Sequence, residues 1–280
     1  GIQIRRLAYA FQLTFSKELD GDGDISHFGS LMTSLAATVG TGNIAGVSTA
    51  VALGGPGAIF WMWVTGLVGM ATKYAEGFLA IKYRDVNKHG EISGGPMYYL
   101  EFGLKQKWLG ILFAIFGALA AFGIGNMIQS NTIASSLSKT LGTNDFLVGV
   151  ILAFLTAMVV LGGIKRIARI TSYFVPLMVL IYFIGATFVI LNNLSHLSSG
   201  IALILEHAFT GTAATGGFAG ATLAQTIRFG VARGLFSNES GMGSAPIVAA
   251  AARTNHPEKQ ALVSMTGTFL DTLIICSLTA

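Results

Sequence analysis

The stretch ATVGTGNIAG, residues 37–46, interrupts one of the most apolar runs in the chain. Glycines at 40, 42 and 46, two threonines and an asparagine stand where a continuous membrane helix would carry leucine or valine. In hydrocarbon each unpaired backbone group costs several kcal/mol, so irregular backbone at that depth survives only when protein, water or a ligand satisfies it. A second interruption, GLFSNESGMGSAP at 234–246, places Ser237, Asn238, Glu239 and Ser240 inside another apolar region. It is bracketed by Gly234, Gly241 and Gly243 and closed by Pro246. Glycine spacing alone fits helix packing of the GxxxG type, as Gly42 and Gly46 do. Two interruptions carrying polar side chains that packing does not need point instead to a binding site at the membrane midplane.

Composition sets the surroundings. The 280 residues are 52% hydrophobic and 11% charged, against about 25% charged in a soluble domain. The solvent this implies is a lipid bilayer. The net charge of +4 sits in short clusters between apolar segments, which suits membrane orientation and not a nucleic-acid partner. One cysteine, Cys276, excludes an internal disulfide framework and a cysteine metal site. No cleavable signal peptide is visible in residues 1–15.

Seven segments are long and apolar enough to cross: about 28–53, 57–82, 108–138, 145–163, 170–192, 217–252 and 260–280. A shorter piece, 201–209, reads as an interfacial or re-entrant helix, and RRLAYAFQLTF (5–15) as a basic amphipathic surface segment. With the start of the first span in the cytoplasm, Arg5, Arg6, Lys17, Lys82, Arg84, Lys88, Lys105, Lys107, Lys165, Arg166, Arg169, Arg253 and Lys259 fall inside, and Lys139 alone falls in an outer loop. That bias fixes the orientation and requires 217–252 to cross once. The chain opens abruptly and stops inside an apolar run, as a fragment of a longer transporter-sized protein would.

If five helices are followed by an inverted copy, the interrupted spans are the first and sixth, at equivalent places in the two halves. Freed N–H groups at half-helix N-termini attract a carboxylate, and freed carbonyls with hydroxyls and amides suit a hard cation such as Na⁺. GTGNIAG also matches a dinucleotide-binding pattern, but no strand precedes it. DGDGD (20–24) resembles a calcium loop but has Ile25 and Leu31 where that loop needs Gly and an acid, so it reads as a solvated loop.

Several long motifs resemble the alanine or glycine:cation symporters, the sodium:alanine symporter family. They are AATVGTGNIAGVSTAVALGGPGAIFWMW (36–63), GGPMYYLE (94–101), LGGIKRIA (161–168) and ARGLFSNESGMGSAP (232–246), in collinear order over essentially the whole chain. The resemblance implies an all-α polytopic membrane protein with a leucine-transporter-like inverted repeat and discontinuous first and sixth helices. It implies Na⁺-coupled uptake of small neutral amino acids through the plasma (inner) membrane, with H⁺ as the alternative coupling ion. The parts it implies are a cytoplasmic segment (1–27), a first repeat (28–192), an external loop with a re-entrant helix (193–216) and the truncated start of the second repeat (217–280).

A more distant similarity, to the neurotransmitter-transporter group of sodium symporters, rests on G-T-G-N at 40–43 and on Phe236, Ser237, Gly241, Met242 and Gly243. It implies that the N–H groups around Gly40, Thr41 and Gly42 hold the substrate carboxylate, and that Phe236 and Met242 wall the side-chain pocket; Asn238, in the second interruption, is a further candidate substrate contact. The carbonyls of Ala36 and Val39 would line one Na⁺ site. The carbonyl of Thr38, with Asn43 and Ser237, corresponds to a second.

Individual polar residues keep alternatives. Asp271, inside TGTFLDTLIIC (266–276), is an ion ligand, a proton carrier or an arginine partner, or else a structural bond to a neighbouring helix. Glu239 bonds the substrate amino group, caps freed N–H groups or pairs with an arginine. Arg228 and Arg233 gate the site together with Glu239, or snorkel to the outer interface. Asn126, Gln129 and Asn131 interrupt the third span, with Gln129 a substrate contact or interhelical glue. Trp61, Trp63, Tyr98 and Tyr99 read as interfacial anchors, and Lys73 with Glu76 as a paired cytoplasmic helix end. The histidines lie at loops or span ends and suggest neither a metal site nor a catalytic dyad. A channel needs a continuous pore lined by repeated carbonyls or charged rings, and an intramembrane enzyme needs a nucleophile with its base; neither pattern is visible.

Overall fold

The architecture is that of a computed structural model, which describes residues 1–16, 20–86, 90–123, 126–210 and 222–280. In chain order its main helices are α1 (Leu7–Phe15), α2 (His27–Thr38), α3 (Val47–Gly54) and α4 (Ala58–Lys82). Then come α5 (Lys107–Ala121), α6 (Asn126–Leu141), α7 (Asp145–Val160) and α8 (Gly163–Asn192). The last are α9 (Leu194–Thr210), α10 (Leu223–Asn238), α11 (Ser244–Ala250) and α12 (Pro257–Thr268). A small antiparallel hairpin pairs β1 (Asp85–Val86) with β2 (Ile92–Ser93). Among the described residues two unbroken helical runs are long and apolar enough to span a bilayer, Gly163–Asn192 and Pro257–Thr279, and α5 with α6 marks a third candidate stretch, Lys107–Leu141. A fourth exists if the bent pair at 27–54 is one span.

Local chemistry accounts for where helices start and stop. Ser26 Oγ accepts the Gly29 N–H at 3.0 Å and caps α2; Asn144 does the same for α7. Thr222 and Gln225 form a reciprocal capping box on α10. α4 has 25 residues, about 37 Å at 1.5 Å each, enough to cross the roughly 30 Å hydrocarbon core. It is the central strut, packed against α10, α11 and α12. Gly234 lets α10 come close, because a Cβ there would lie 2.4 Å from Thr65 Oγ1. The main core joins α1, α2 and α12 through Ala10, Leu13, Leu31, Leu35, Val263 and Met265. By contrast, α5, α7 and α8 carry exposed large apolar residues such as Phe116, Phe154 and Phe188, surfaces that need apolar surroundings.

Both interruptions expected from the sequence are present, with narrower limits. α2 and α3 meet at 55° across residues 39–41, and a π-helical turn (Gly42–Gly46) leads into α3. In the second, Ser237 and Asn238 remain helical and the break is confined to 239–243. Several other expectations need correction. Asn126, Gln129 and Asn131 lie within the continuous helix α6 and do not interrupt it; the preceding helix ends earlier, at Ala121. α8 begins seven residues before the expected 170. α1 is no free surface helix, since Ala10, Leu13 and Thr14 are buried, the first two in the core shared with α12. Trp61 and Trp63 bond between helices: their indole N–H groups donate to the Ala208 carbonyl and to Ser277 Oγ, each at 2.7 Å. Lys17 and Lys88 of the charge count lie outside the described residues, as do 211–221 of the loop and of the start of the sixth span.

DGDGD is not a solvated loop but the centre of a polar knot. Asp24, its side chain 6% exposed, pairs with Lys165 at 3.0 Å and accepts the Ile92 N–H at 3.0 Å. Asp20 bonds Lys259. Arg84 donates to the carbonyls of Ala250, Ala252, Asp22 and Thr254 at 2.7–2.9 Å. The loop before the first broken helix and the loop after the second are thus held together.

Candidate functional site

The first break is a rerouting of backbone hydrogen bonds. Val39 leaves the helical region at φ −83°, ψ 115°. The Gly40 N–H, which a continued helix would give to the Ala36 carbonyl, donates instead to Asn43 Oδ1 at 2.8 Å. The Thr41 N–H, otherwise due to Ala37, donates to Gln129 Oε1 at 3.3 Å, and the Thr41 hydroxyl donates to the same oxygen at 3.0 Å. Gln129 thereby occupies a position a carboxylate would suit. Thr38 Oγ1 is buried with no hydrogen-bond partner among the described residues. Arg233 lies over the π-helical turn so closely that a Cβ on Gly42 or Gly46 would sit 2.5 or 2.3 Å from its guanidinium nitrogens.

The second break is a left-handed turn. Glu239 ends α10 at φ 53°, and Gly241 and Gly243 follow at φ 84° and 82°, values that only glycine adopts cheaply. The Asn238 carboxamide oxygen accepts the Ser240 N–H at 2.9 Å, and Ser240 Oγ donates to the Gly69 carbonyl at 3.1 Å. Glu76 Oε1, from α4, accepts the N–H groups of Gly241 at 3.1 Å and Gly243 at 3.3 Å. The Glu239 carboxylate takes the Ser244 hydroxyl.

Between the breaks lies a buried polar cluster. Asn43 Nδ2 donates to Asp271 Oδ1 at 2.7 Å and reaches Ser237 Oγ at 3.2 Å and Cys276 Sγ at 3.3 Å. Thr272 Oγ1 donates to Asp271 Oδ2 at 2.9 Å, and Ser237 Oγ lies 3.2 Å from Cys276 Sγ. Asn43, Ser237, Asp271, Thr272 and Cys276 are all at most 1% exposed. Asp271 sits on another π-helical stretch (Phe269–Cys276), which continues α12. A carboxylate so enclosed needs compensating donors or a cation.

Beside this cluster a cavity of ≈ 230 Å³ opens between α2, α3, α6 and α10, lined by Thr38, Thr41, Gly42, Gln129, Arg233, Phe236 and Glu239 among others. The Arg233 guanidinium stacks on the Phe236 ring at 5.2 Å. Thus Thr41, Gly42, Gln129 and Phe236, expected as substrate contacts, share one cavity with Arg233 and Glu239, two of the three residues expected as a gate. Arg228 is exposed and outside that lining. Gly40 stands behind it against Gln129. Asn238 faces away, its Nδ2 donating to Thr272 Oγ1 at 3.2 Å, and Met242 is 43% exposed on the turn. Asn43, Ser237 and Asp271 come together in direct contact; Thr38 lines the cavity with its hydroxyl buried, and Val39 is buried while Ala36 is exposed. A second cavity of ≈ 210 Å³, between α1, α2, α8 and 270–278, is lined almost wholly by apolar side chains and offers nothing to a zwitterion.

Lys73 and Glu76 are not a paired cytoplasmic helix end. They are 2% and 7% exposed, and Glu76 binds the second break. The available sequence signal was their position, six to nine residues inside an apolar helix that ends at Lys82. Cys276 joined the cluster without any motif to announce it.

A family model described as the sodium:alanine symporter family matches residues 1–280. The sodium/alanine symporter AgcS of Methanococcus maripaludis is 55% identical over 284 residues, covering 99% of this chain and 62% of that protein. The probable sodium/glutamine symporter GlnT of Bacillus subtilis is 45% identical over 256 residues, 91% of this chain and 52% of that protein. The putative sodium/proton-dependent alanine carrier protein YrbD of the same organism is 40% identical over 279 residues, 100% of this chain and 56% of that protein. The chain spans about three fifths of the length of the first curated relatives it matches.

Proposed function

The chain belongs to the sodium:alanine symporter family, and on that premise we propose that the full-length protein is a secondary active symporter coupling Na⁺ influx to uptake of small neutral amino acids, alanine or glycine. It sits in the plasma membrane and works by alternating access, with the two broken helices of a leucine-transporter-like inverted repeat at its centre. The observation that carries this reading is the contact between the breaks: Asn43 of the first bonds both Ser237, at the edge of the second, and Asp271.

In this reading the amino acid occupies the ≈ 230 Å³ cavity. Its carboxylate takes the Thr41 and Gly42 N–H groups by displacing the Gln129 amide oxygen, and Arg233 adds positive charge on the same side. Its ammonium faces Glu239, and its short side chain lies against Phe236, whose bulk excludes larger ones. Na⁺ is held by Asp271, Ser237 and the Thr38 hydroxyl, with carbonyls freed at Ala36 and Val39. The donor set suits it: a hard monovalent cation prefers oxygen, and Thr38 Oγ1 is an oxygen with no other partner.

Asn43 joins the two sites. One end of its amide holds Asp271; the other holds the Gly40 N–H beside the cavity. A cation at Asp271 competes for the carboxylate oxygen, reorients Asn43 and so reshapes the 40–42 backbone. Coupling of this kind is reciprocal, so substrate raises Na⁺ affinity as Na⁺ raises substrate affinity. A proton on Asp271 could do the same work, since that carboxylate is fully enclosed, and H⁺ coupling is therefore the second reading. The test is uptake of labelled alanine and glycine by the full-length protein in proteoliposomes under imposed Na⁺ or H⁺ gradients. Concentrative, saturable, Na⁺-driven uptake of unaltered substrate is expected. Downhill flux alone would mean a channel, chemical conversion an enzyme, and accumulation driven by H⁺ without Na⁺ the second reading.

A further inference from the structure

Lys73 and Glu76 stand three residues apart on one face of α4, deep in the protein. The structure holds Glu76 Oε1 on two backbone N–H groups of the second break, while Glu76 Oε2 and Lys73 Nζ are buried without hydrogen-bond partners among the described residues. Among the described residues neither joins an ion pair within 4.0 Å. Three residues apart on one helix face, the two side chains are neighbours inside the protein. A buried charge without compensation is strongly destabilising. Lys73 therefore needs an acid beside it, and Glu76 is its neighbour on that face.

We propose that Lys73 and Glu76 form an ion couple that positions the second break. Glu76 is the fastener that gives the turn at 241–243 its shape, and Lys73 is the counter-charge that lets Glu76 stay ionised inside the protein. The left-handed φ of Gly241 and Gly243 turns both N–H groups onto one carboxylate oxygen. Ser240, between them and Glu239, is pinned to the same helix at Gly69. Shape at this turn passes to Glu239, which lines the cavity, and to Ser237 and Asn238 one turn earlier, which touch the Asp271 cluster. The couple is thus a positioning device for both proposed sites while touching neither ligand. The inference rests on the transport reading for its functional consequence, not for the pairing.

The test is a double-mutant cycle in the full-length protein with Glu76→Gln and Lys73→Met. Glutamine keeps an acceptor oxygen for the two N–H groups but makes neutral bonds, about half as strong as charge-assisted ones, and strands Lys73. Glu76→Gln is expected to raise the Na⁺ concentration for half-activation and the alanine KM about tenfold, with maximal rate within about threefold of the parent. Lys73→Met/Glu76→Gln is expected to recover most of that loss, because no lone charge remains. Unchanged KM values in Glu76→Gln, or a double variant as impaired as the product of the two singles, would overturn the proposal. Melting temperatures of the same four proteins give a reading independent of transport. Non-additive recovery there with no Na⁺-dependent uptake even in the parent would preserve the couple and overturn the transport reading. Additive melting losses would overturn the couple. If Glu76→Gln does not fold, recovery of folded protein by the double variant supports the couple and failure to recover it counts against it.

Discussion

Replacing Asn43 with alanine should uncouple the cation from the amino acid. Asn43 Nδ2 gives Asp271 a 2.7 Å hydrogen bond, and Asn43 Oδ1 holds the Gly40 N–H at 2.8 Å. A bond to a charged group contributes about 1.5–3 kcal/mol net and a neutral one about 0.5–1.5 kcal/mol, so about 2–4 kcal/mol passes through this side chain. That range bounds the coupling it can transmit, and it matches the roughly 1–3 kcal/mol of most coupled sites. At about 1.4 kcal/mol per decade, 2 kcal/mol is a roughly 30-fold effect. In the parent, saturating Na⁺ should therefore lower the alanine dissociation constant by about 30-fold, and in Asn43→Ala by no more than about threefold. The assay is equilibrium binding of labelled alanine to purified full-length protein with and without Na⁺, which reads only folded, binding-competent molecules. Retention of the full Na⁺ effect in Asn43→Ala would refute the argument, because among the described residues no other side chain bonds both Asp271 and the backbone at Gly40.

Three further outcomes follow from the geometry. Arg84→Ala should remove the knot at 20–25 and 250–255, costing about 2–4 kcal/mol from its several carbonyl bonds, read as a lower melting temperature; Arg84→Lys should not restore it, since an ammonium cannot match the planar fork, and full rescue by lysine would contradict this. Burial raises the Asp20 carboxyl, but hydrogen bonds and charge from Lys259, Thr254 and His256 outweigh it and hold the group below its ordinary value. Asp20 thus contributes stability that is fully present above the unfolded value near about 3.9 and is lost as pH falls through the lower folded value; Asp20→Asn should flatten that acid limb in a pH series of melting temperatures, and an unchanged limb would remove Asp20 from it. Phe236→Ala should open the cavity beside Arg233, letting larger neutral amino acids compete for alanine binding; an unaltered competition profile would take Phe236 out of the pocket wall.

How much of this was legible in the residues differs by feature. Both interruptions were, because glycine and polar residues in hydrocarbon have few explanations. So was the pairing of Asn43 with Ser237, 194 positions apart, whereas Asp271, 228 positions from Asn43, stood out only as a charge inside a span. The pairing of Asn43 with Ser237 came through resemblance and not through spacing. What failed to show was orientation within a helix. Asn238 adjoins Ser237 yet points to Thr272, because neighbours on a helix diverge by about 100°. Lys73 and Glu76 looked like a helix end because charge near a basic terminus usually is one; only the packing of α4 under the second break reveals them as buried. The DGDGD loop misled for a related reason. Its acids look solvated, but their partners, Lys165 and Lys259, arrive from distant segments.

The two residues that meet at the centre of the site, Asn43 and Asp271, share one local property: each lies on a π-helical turn, Gly42–Gly46 and Phe269–Cys276. A π turn uses i→i+5 bonds, so it is wider than an α-helix and displaces side chains from their regular positions. In an unbroken α-helix the Gly40 N–H would belong to the Ala36 carbonyl, and the Asn43 oxygen that now receives it would be surplus. The altered windings let two side chains from different helices meet at 2.7 Å instead of sliding past one another. A turn that departs from the α-helical ladder has a nearby alternative, namely recovery of the regular bonds. In the proposed symporter a cation at Asp271 would remove the electrostatic reason for Asn43 to stay where it is, and both turns would then be free to tighten. On that proposal the capacity to switch would reside in the same two irregular windings, and a glycine-to-alanine change at Gly42 or Gly46, which would press a methyl into Arg233, should lower Na⁺-dependent uptake and alanine binding together.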